Sequence, residues 1–394
     1  MTQPGALDGL RVLDLSNLLA APVVSAILAD FGADVVKVEP PGGDPLRRMG
    51  AQRDGRALTW AFANRNKRGV TLDLGCEDGQ RVLRRLVPHF DVVVENLTAD
   101  LRARWHCTHD ELRALHPSLV VVSVTCYGTD GPYASRPGAG TLAEAFAGLT
   151  DLTGEADGPP MLSSVPIGDM LTGIVGALGT VVAAFHQRAT GEGQHVDVSM
   201  YEPVLALLGS TVAGWVPEEQ PPRRTGSRVP NGVPRNVYRT ADGAWIAVSG
   251  TTDAQVARLL PLLGLDDDAS RARFGTAAAR LAVADELDAL VAAWVGSRAR
   301  HDALAELGDA RVGAAPVNDL RAVRDDPHVR ARGDLVTLQG GAPTLVAPVP
   351  RLSRTPGDIR DAGPARGEHN EDVYGTLLGL GARDLARLRD AGVV

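Results

Sequence analysis

The chain's 394 residues fit two domains, or one large domain carrying a smaller insert. Apolar residues at 44% and charged residues at 22% give the balance of a soluble globular protein, while aromatics at 4% leave the core to Val, Leu and Ala. The net charge of −8 speaks against a nucleic-acid partner, which calls for a basic excess, so an anionic ligand must be met by a local basic patch.

The first half alternates strand and helix. Residues 10–15 (LRVLDL) read as a buried strand, 22–31 as a helix and 33–39 (ADVVKVE) as the next strand. A strand at 70–74, a helix near 77–87 and the strand 91–96 (DVVVEN) follow. Thr108 and Glu111 form a T-x-x-E capping box that opens another helix, and 118–125 (SLVVVSVT) is a further strand. Strands this apolar, separated by helices, are covered on both faces. That predicts an α/β fold with a Rossmann-like, doubly wound parallel sheet.

The run 170–185 is apolar over sixteen residues, short of the roughly 20 of a membrane span, and reads as a buried helix with no membrane partner. Gly173, Gly176 and Gly179 within it each cost about 1 kcal/mol relative to alanine, which predicts another backbone packed very close. A turn at 191–193 leads to the strand 195–200 and a helix from Glu202. Residues 216–235 are proline-rich and lack an apolar period, and 236–250 read as a hairpin turning at Ala241-Asp242-Gly243. Helices then run to about Gly308, and helical pieces at 371–378 and 382–390 end the chain. The expected organisation is a large domain begun by 1–215, a linker at 216–235, a smaller α/β domain at 236–325, and a linker and C-terminal return to the large domain at 326–394.

Three widely spaced cysteines, Cys76, Cys107 and Cys126, make neither a disulfide framework nor a CxxC metal site. Residues 1–10 lack the charged-then-apolar layout of a signal peptide. A cytoplasmic location and no metal are expected. The opening strand–helix–strand unit, with Glu39 ending its second strand, imitates a dinucleotide-binding βαβ. Its first turn, residues 16–22 (SNLLAAP), contains no glycine, so a backbone cradle for a pyrophosphate is missing.

Nine segments in order carry a resemblance: LDLSNLLAAP (13–22), FGADVVKVEPPGGDPLR (31–47), NRNKRGVTLDL (64–74), DVVVEN (91–96), CYGTDGPYASRPG (126–138), IGDMLTGIVGAL (167–178), RATGEGQHVDVSM (188–200), VYRTADGAW (237–245) and LSRTPGDI (352–359). Together they resemble the CaiB/BaiF family of class III CoA transferases, which includes formyl-CoA and carnitine CoA transferases. The resemblance implies an enzyme that moves CoA from an acyl-CoA to a carboxylic acid, with no tightly bound cofactor and with coenzyme A or acyl-CoA as substrate. It also implies an intertwined homodimer of two ring-like subunits.

The resemblance places the catalytic aspartate at Asp169. From the residues alone, an ordinary N-cap and a functional carboxylate beside the helix N–H groups both stay open. Near such donors the carboxylate is expected to stay ionised, as a nucleophile must. CoA-binding positions of the family fall on Lys67, Asn96, Leu97, Arg104 and Met200, and on Leu19, where formyl-CoA transferases carry an assisting glutamine. Lys37 and Lys67 are the only lysines among 40 basic residues, and a point charge suits a phosphate.

The pattern breaks after GPYASRPG. The usual acidic residue of the acyl pocket corresponds to Gly140, with Glu144 one helical turn on, so either the pocket is enlarged or an assistant is missing. The racemase branch of the family carries a histidine where this chain has Ala139. A 2-methylacyl-CoA racemase-like enzyme and a non-catalytic acyl-CoA-binding protein are the alternatives. His186 and His195 read as structural.

Overall fold

Valine-rich runs, whose branched side chains suit a pleated and doubly covered surface, form the central strands. In the computed structural model, which describes residues 4–338 and 343–394, the chain divides into two units. Residues 1–3 of the N-terminal segment and 339–342 of the expected C-terminal return lie outside the described residues. One unit comprises Met1–Leu149, Leu162–Gly214 and Arg330–Val394, and the other Thr150–Met161 and Trp215–Val329.

The first unit begins with β1 (Arg11–Asp14), α1 (Ala20–Asp30) and β2 (Asp34–Glu39), followed by the short ribbon β3 (Gln52–Arg53) and β4 (Arg56–Ala57). Next come α2 (Leu58–Asn64), β5 (Arg68–Thr71), α3 (Glu77–Leu86), β6 (Val92–Glu95), α4 (Ala99–Arg104), α5 (His109–Leu115) and β7 (Val120–Thr125). After α6 (Gly140–Phe146) comes the single turn α7 (Leu149–Leu152), all but its first residue in the second unit; the long helix α8 (Ile167–Thr190) then crosses to β8 (His195–Ser199), and α9 (Tyr201–Leu207) follows. The six long strands form one parallel sheet in the order β5-β2-β1-β6-β7-β8. The order turns at β1 and β6, whose chains leave in opposite directions, which opens a crevice beyond their carboxyl ends. The expected doubly wound sheet is thus observed, and the Thr108–Glu111 capping box closes reciprocally at the start of α5.

Helix α8 extends beyond the apolar run at both ends, so its 24 residues are long and apolar enough to cross a membrane by length and composition. Here one face is buried against α1 and β8. A Cβ on Gly173 would lie 2.5 Å from Val23 Cγ1, one on Gly176 2.6 Å from Val24 Cγ2, and one on Gly179 3.2 Å from Val196 Cγ1. The glycines therefore admit α1 and β8 to the helix surface, and what fills the space is valine side chains rather than the backbone that was expected. The opposite face leaves Ile174, Leu178, Val182 and Phe185 exposed, Phe185 at 77%.

In the second unit, β9 (Arg235–Arg239) and β10 (Trp245–Ser249) form the expected hairpin, with Gly243 at φ +79° in its turn. An antiparallel strand, β11 (Ala314–Pro316), extends that sheet on the β10 side. Helical segments between Asp253 and Asp309 cover it, and Ile246, Val248, Leu259, Val291, Trp294 and Leu307 fill the core. Segment 216–235 is tied down rather than loose: Arg228 Nε donates to Asp288 Oδ2 at 2.5 Å, and Asp288 Oδ1 accepts from Tyr238 at 2.6 Å.

Candidate active site

The carboxyl edge of the sheet is held by buried charges. Asp14, the last residue of β1, accepts from Ser16 and Ser25 at 2.5 and 2.6 Å and from Lys67 Nζ at 2.8 Å. Burial drives its carboxyl upward, but Lys37 and Lys67 outweigh that and hold it well below the ordinary range. Lys37 is wholly buried, donates to the Ser16 carbonyl and lies 3.3 Å from Asp44. Glu39 is paired with Arg47, its Oε2 accepting from Nε at 2.7 Å.

Lys67, expected at a CoA-binding position, is wholly buried. Its three donors go to Asp14 Oδ2, the Pro22 carbonyl at 2.8 Å and Asn64 Oδ1 at 3.0 Å, leaving none for a phosphate. Burial lowers its pKa to about 8 despite Asp14. The lysine joins α1 and α2 to the end of β1.

Asn96 holds the loop at 16–19 from across the crevice. Its Oδ1 accepts from the Asn17 N–H and its Nδ2 donates to the Asn17 carbonyl, both at 2.9 Å. The loop so held includes Leu18 at φ +63° and ends at Leu19, which is half-buried and packs on the small cluster shared with Met170. Leu97 is buried beside Asn96, and its N–H donates to Glu95 Oε2 at 2.6 Å. Arg102 of α4 also binds Glu95, at 2.9 Å, while Arg104 at the end of the same helix is exposed. The rings of His109 and His195 stack on one another, and both make a hydrogen bond with Ser123 Oγ. Met200 is buried just beyond β8, its N–H bonded to the Thr125 carbonyl at 2.8 Å.

Because α8 returns from the carboxyl edge after β7, its first turn lies on the same side of the sheet as these loops. Asp169 is the third residue of the helix, not its N-cap; Pro166 holds that position and offers no side-chain bond. Half-buried, Asp169 has its carboxyl raised above the usual range, chiefly by burial and then by the charge of Glu144, against a bond from its own N–H. The expected shelter among several amide donors is absent among the described residues.

Gly140 explains where that carboxylate rests. A Cβ built there would lie 2.1 Å from Asp169 Oδ2 and 2.8 Å from the Asp169 nitrogen. The position is therefore not an enlarged pocket; Asp169 itself fills the space. Glu144, buried one turn further along α6, directs Oε1 to the Gly168 N–H at 2.9 Å. Ala139 is exposed at the N-cap of α6, and no histidine figures among the groups that shift Asp169.

A cleft of about 440 Å³ opens where Tyr127, Tyr133 and Tyr201 meet Phe146 edge-to-face. Phe146 lies six residues, about 9 Å, along α6 from Gly140. This cluster was not singled out from sequence, and Glu144 was noted there only by its place one turn after Gly140. A usable signal existed for the cluster, since Tyr127 and Tyr133 fall in one family segment and Tyr201 directly follows another.

The model of CoA-transferase family III matches residues 7–370. The chain belongs to that family. Succinyl-CoA–D-citramalate CoA-transferase of Chloroflexus aurantiacus is 39% identical over 396 residues, covering 99% of this chain and 98% of its own. Succinate–glutarate CoA-transferase of Agrobacterium fabrum is 35% identical, covering 94% and 95%. A CaiB/BaiF family protein from Brucella suis superposes with a TM-score of 0.84 at 33% identity, over 95% of this chain and all of that one. The protein is thus an enzyme of the class III CoA-transferases, whose substrates are CoA thioesters.

Proposed function

We propose that the enzyme transfers CoA through covalent intermediates on Asp169. A carboxylate Oδ attacks the thioester carbonyl, the C–S bond breaks, and CoA thiolate leaves behind an aspartyl–acyl anhydride. The thiolate attacks the aspartyl carbonyl, releasing the donor acid with the bridging oxygen and leaving an aspartyl-CoA thioester. The acceptor carboxylate then attacks that carbonyl, regenerating an anhydride and thiolate. Attack of thiolate on the acceptor's acyl carbon yields the new acyl-CoA and free Asp169. One thioester replaces another, so the bond energy is conserved throughout.

The observation that carries this reading is the seat of Asp169, in the first turn of α8 at the carboxyl edge of the sheet, its carboxylate lying against a glycine. Asn96, Leu97, Leu19, Arg104 and Met200 are proposed to line the CoA path, with Lys67 holding the loop beneath it. The relatives' names support a succinyl thioester as donor and a second dicarboxylic acid as acceptor. The exposed stripe of Ile174, Leu178, Val182 and Phe185 supports a homodimer, since apolar surface of this kind is buried by a partner, and we propose the intertwined form. Three unpaired thiols suit a cytoplasmic location.

Incubation with succinyl-CoA followed by borohydride or hydroxylamine tests the chemistry. Modification confined to Asp169 is expected. Exchange of an α-hydrogen with deuterated water in the absence of modification would favour racemisation, and tight binding with neither would leave only a CoA-ester binder.

A further inference from the structure

Glu144 is a buried carboxylate whose partner is the backbone of the neighbouring helix. The first turn of any α-helix carries N–H groups without intrahelical acceptors, and an aspartate in that turn tends to collect them. Each bond so collected lowers the carboxylate's basicity and its power as a nucleophile. In α8 the donors are diverted. The Ile167 N–H goes to the Val165 carbonyl at 2.8 Å and the Gly168 N–H to Glu144 at 2.9 Å, while the Met170 N–H makes the ordinary helix bond to the Pro166 carbonyl at 3.0 Å. Asp169 keeps its own N–H alone.

The approach of the two helices makes this possible. Gly168 and Gly140 meet backbone to backbone: a Cβ on Gly168 would lie 2.5 Å from the Gly140 carbonyl oxygen. Glu144, one turn after Gly140, then reaches the α8 terminus from the side, while Asp169 lies over the bare Cα of Gly140. Two carboxylates are thereby fixed on one short stretch of backbone.

We propose that Glu144 is a positioning residue for Asp169: it supplies the cap that Pro166 cannot, removes the Gly168 N–H from competition, and holds a negative charge behind the attacking carboxylate. The proposal rests on the covalent reading above and deepens it. The Asp169 carboxyl is raised first by burial and then by the charge of Glu144, which agrees with this. Cys126, just after β7, also feels the charge of Asp169. Of the remaining elements against α8, α1 turns Val23 and Val24 to it, β8 carries His195 and Asp197, and α9 carries Tyr201 and Glu202.

The test compares Glu144→Gln, which keeps an acceptor oxygen for the Gly168 N–H, with wild type. The release of CoA thiolate in a single turnover, followed against pH, reads the attack by Asp169. In E144Q its acid limb should move to lower pH and its plateau should fall about tenfold, within the coupling range of residues in contact. An unchanged limb and plateau would overturn the proposal. A second measurement needs no substrate: thermal stability at neutral pH of wild type, E144Q, D169N and the double variant. Removal of either charge should cancel most of the effect of removing the other, and strictly additive effects would overturn the proposal. Failure of wild type to label at Asp169 would instead defeat the covalent mechanism, and the stability cycle would still decide whether Glu144 and Asp169 interact.

Discussion

Gly140→Ala adds one methyl group to the atom on which Asp169 rests. The new Cβ would lie 2.1 Å from Oδ2, 2.7 Å from Cγ and 2.8 Å from the backbone nitrogen of Asp169. Side-chain carbons stay at least about 3 Å from such atoms because of van der Waals repulsion, so the oxygen must retreat by roughly 0.9 Å. The nitrogen is part of a helix and cannot move far, so most of the adjustment falls on the carboxylate. A reacting group misplaced by about 1 Å loses on the order of 100-fold in rate, close to 2.7 kcal/mol of transition-state stabilisation. Overpacking adds about 1–3 kcal/mol of destabilisation, partly offset by up to about 1 kcal/mol from replacing glycine in a helix. Chromatographic measurement of product thioester should therefore show kcat reduced about 100-fold with a modest change in melting temperature. A G140A enzyme with undiminished kcat would refute the placement of the nucleophile.

Asp14→Asn leaves Lys37 and Lys67 buried without their shared counter-ion, and denaturant titration should show a loss of about 3–5 kcal/mol. Asp169→Asn should raise the melting temperature at neutral pH. The folded-state pKa of Asp169 is raised, so its contribution is complete below the unfolded-state value and is lost as pH rises through the folded one. The gain from D169N should accordingly vanish in acid, and a pH-independent difference would contradict it. Charges introduced by Leu178→Glu with Phe185→Glu should convert a dimer into monomers in light scattering, and a wild type that is already monomeric would contradict the dimer.

The parallel sheet was legible because Val92–Glu95 and Val120–Thr125 are near-continuous apolar runs, which only a doubly covered strand tolerates. The glycines at 173 and 176 likewise announced a close neighbour, although not which one; Val23 and Val24 of α1 fill that role. Element ends were less readable. Asp169 followed a glycine as an N-cap does, yet helix α8 begins two residues earlier because Gly168 has its N–H satisfied by a distant carboxylate. Lys67 shows the same limit from the other side. Its chemical type suits a phosphate, and only the fold reveals three internal acceptors around it. Gly140 read as a missing residue in one dimension and is an occupied space in three.

The most direct measurement is an isotope transfer. The enzyme, loaded as its CoA thioester, is given an acceptor acid carrying heavy oxygen in both carboxylate positions, and its peptides are examined by mass spectrometry after one turnover. If the acceptor attacks an aspartyl thioester and CoA then attacks the acceptor's carbon, one heavy atom must remain on the peptide containing Asp169, with the other retained in the new acyl-CoA. A peptide containing Asp169 that stayed wholly unlabelled while product formed would contradict the covalent path.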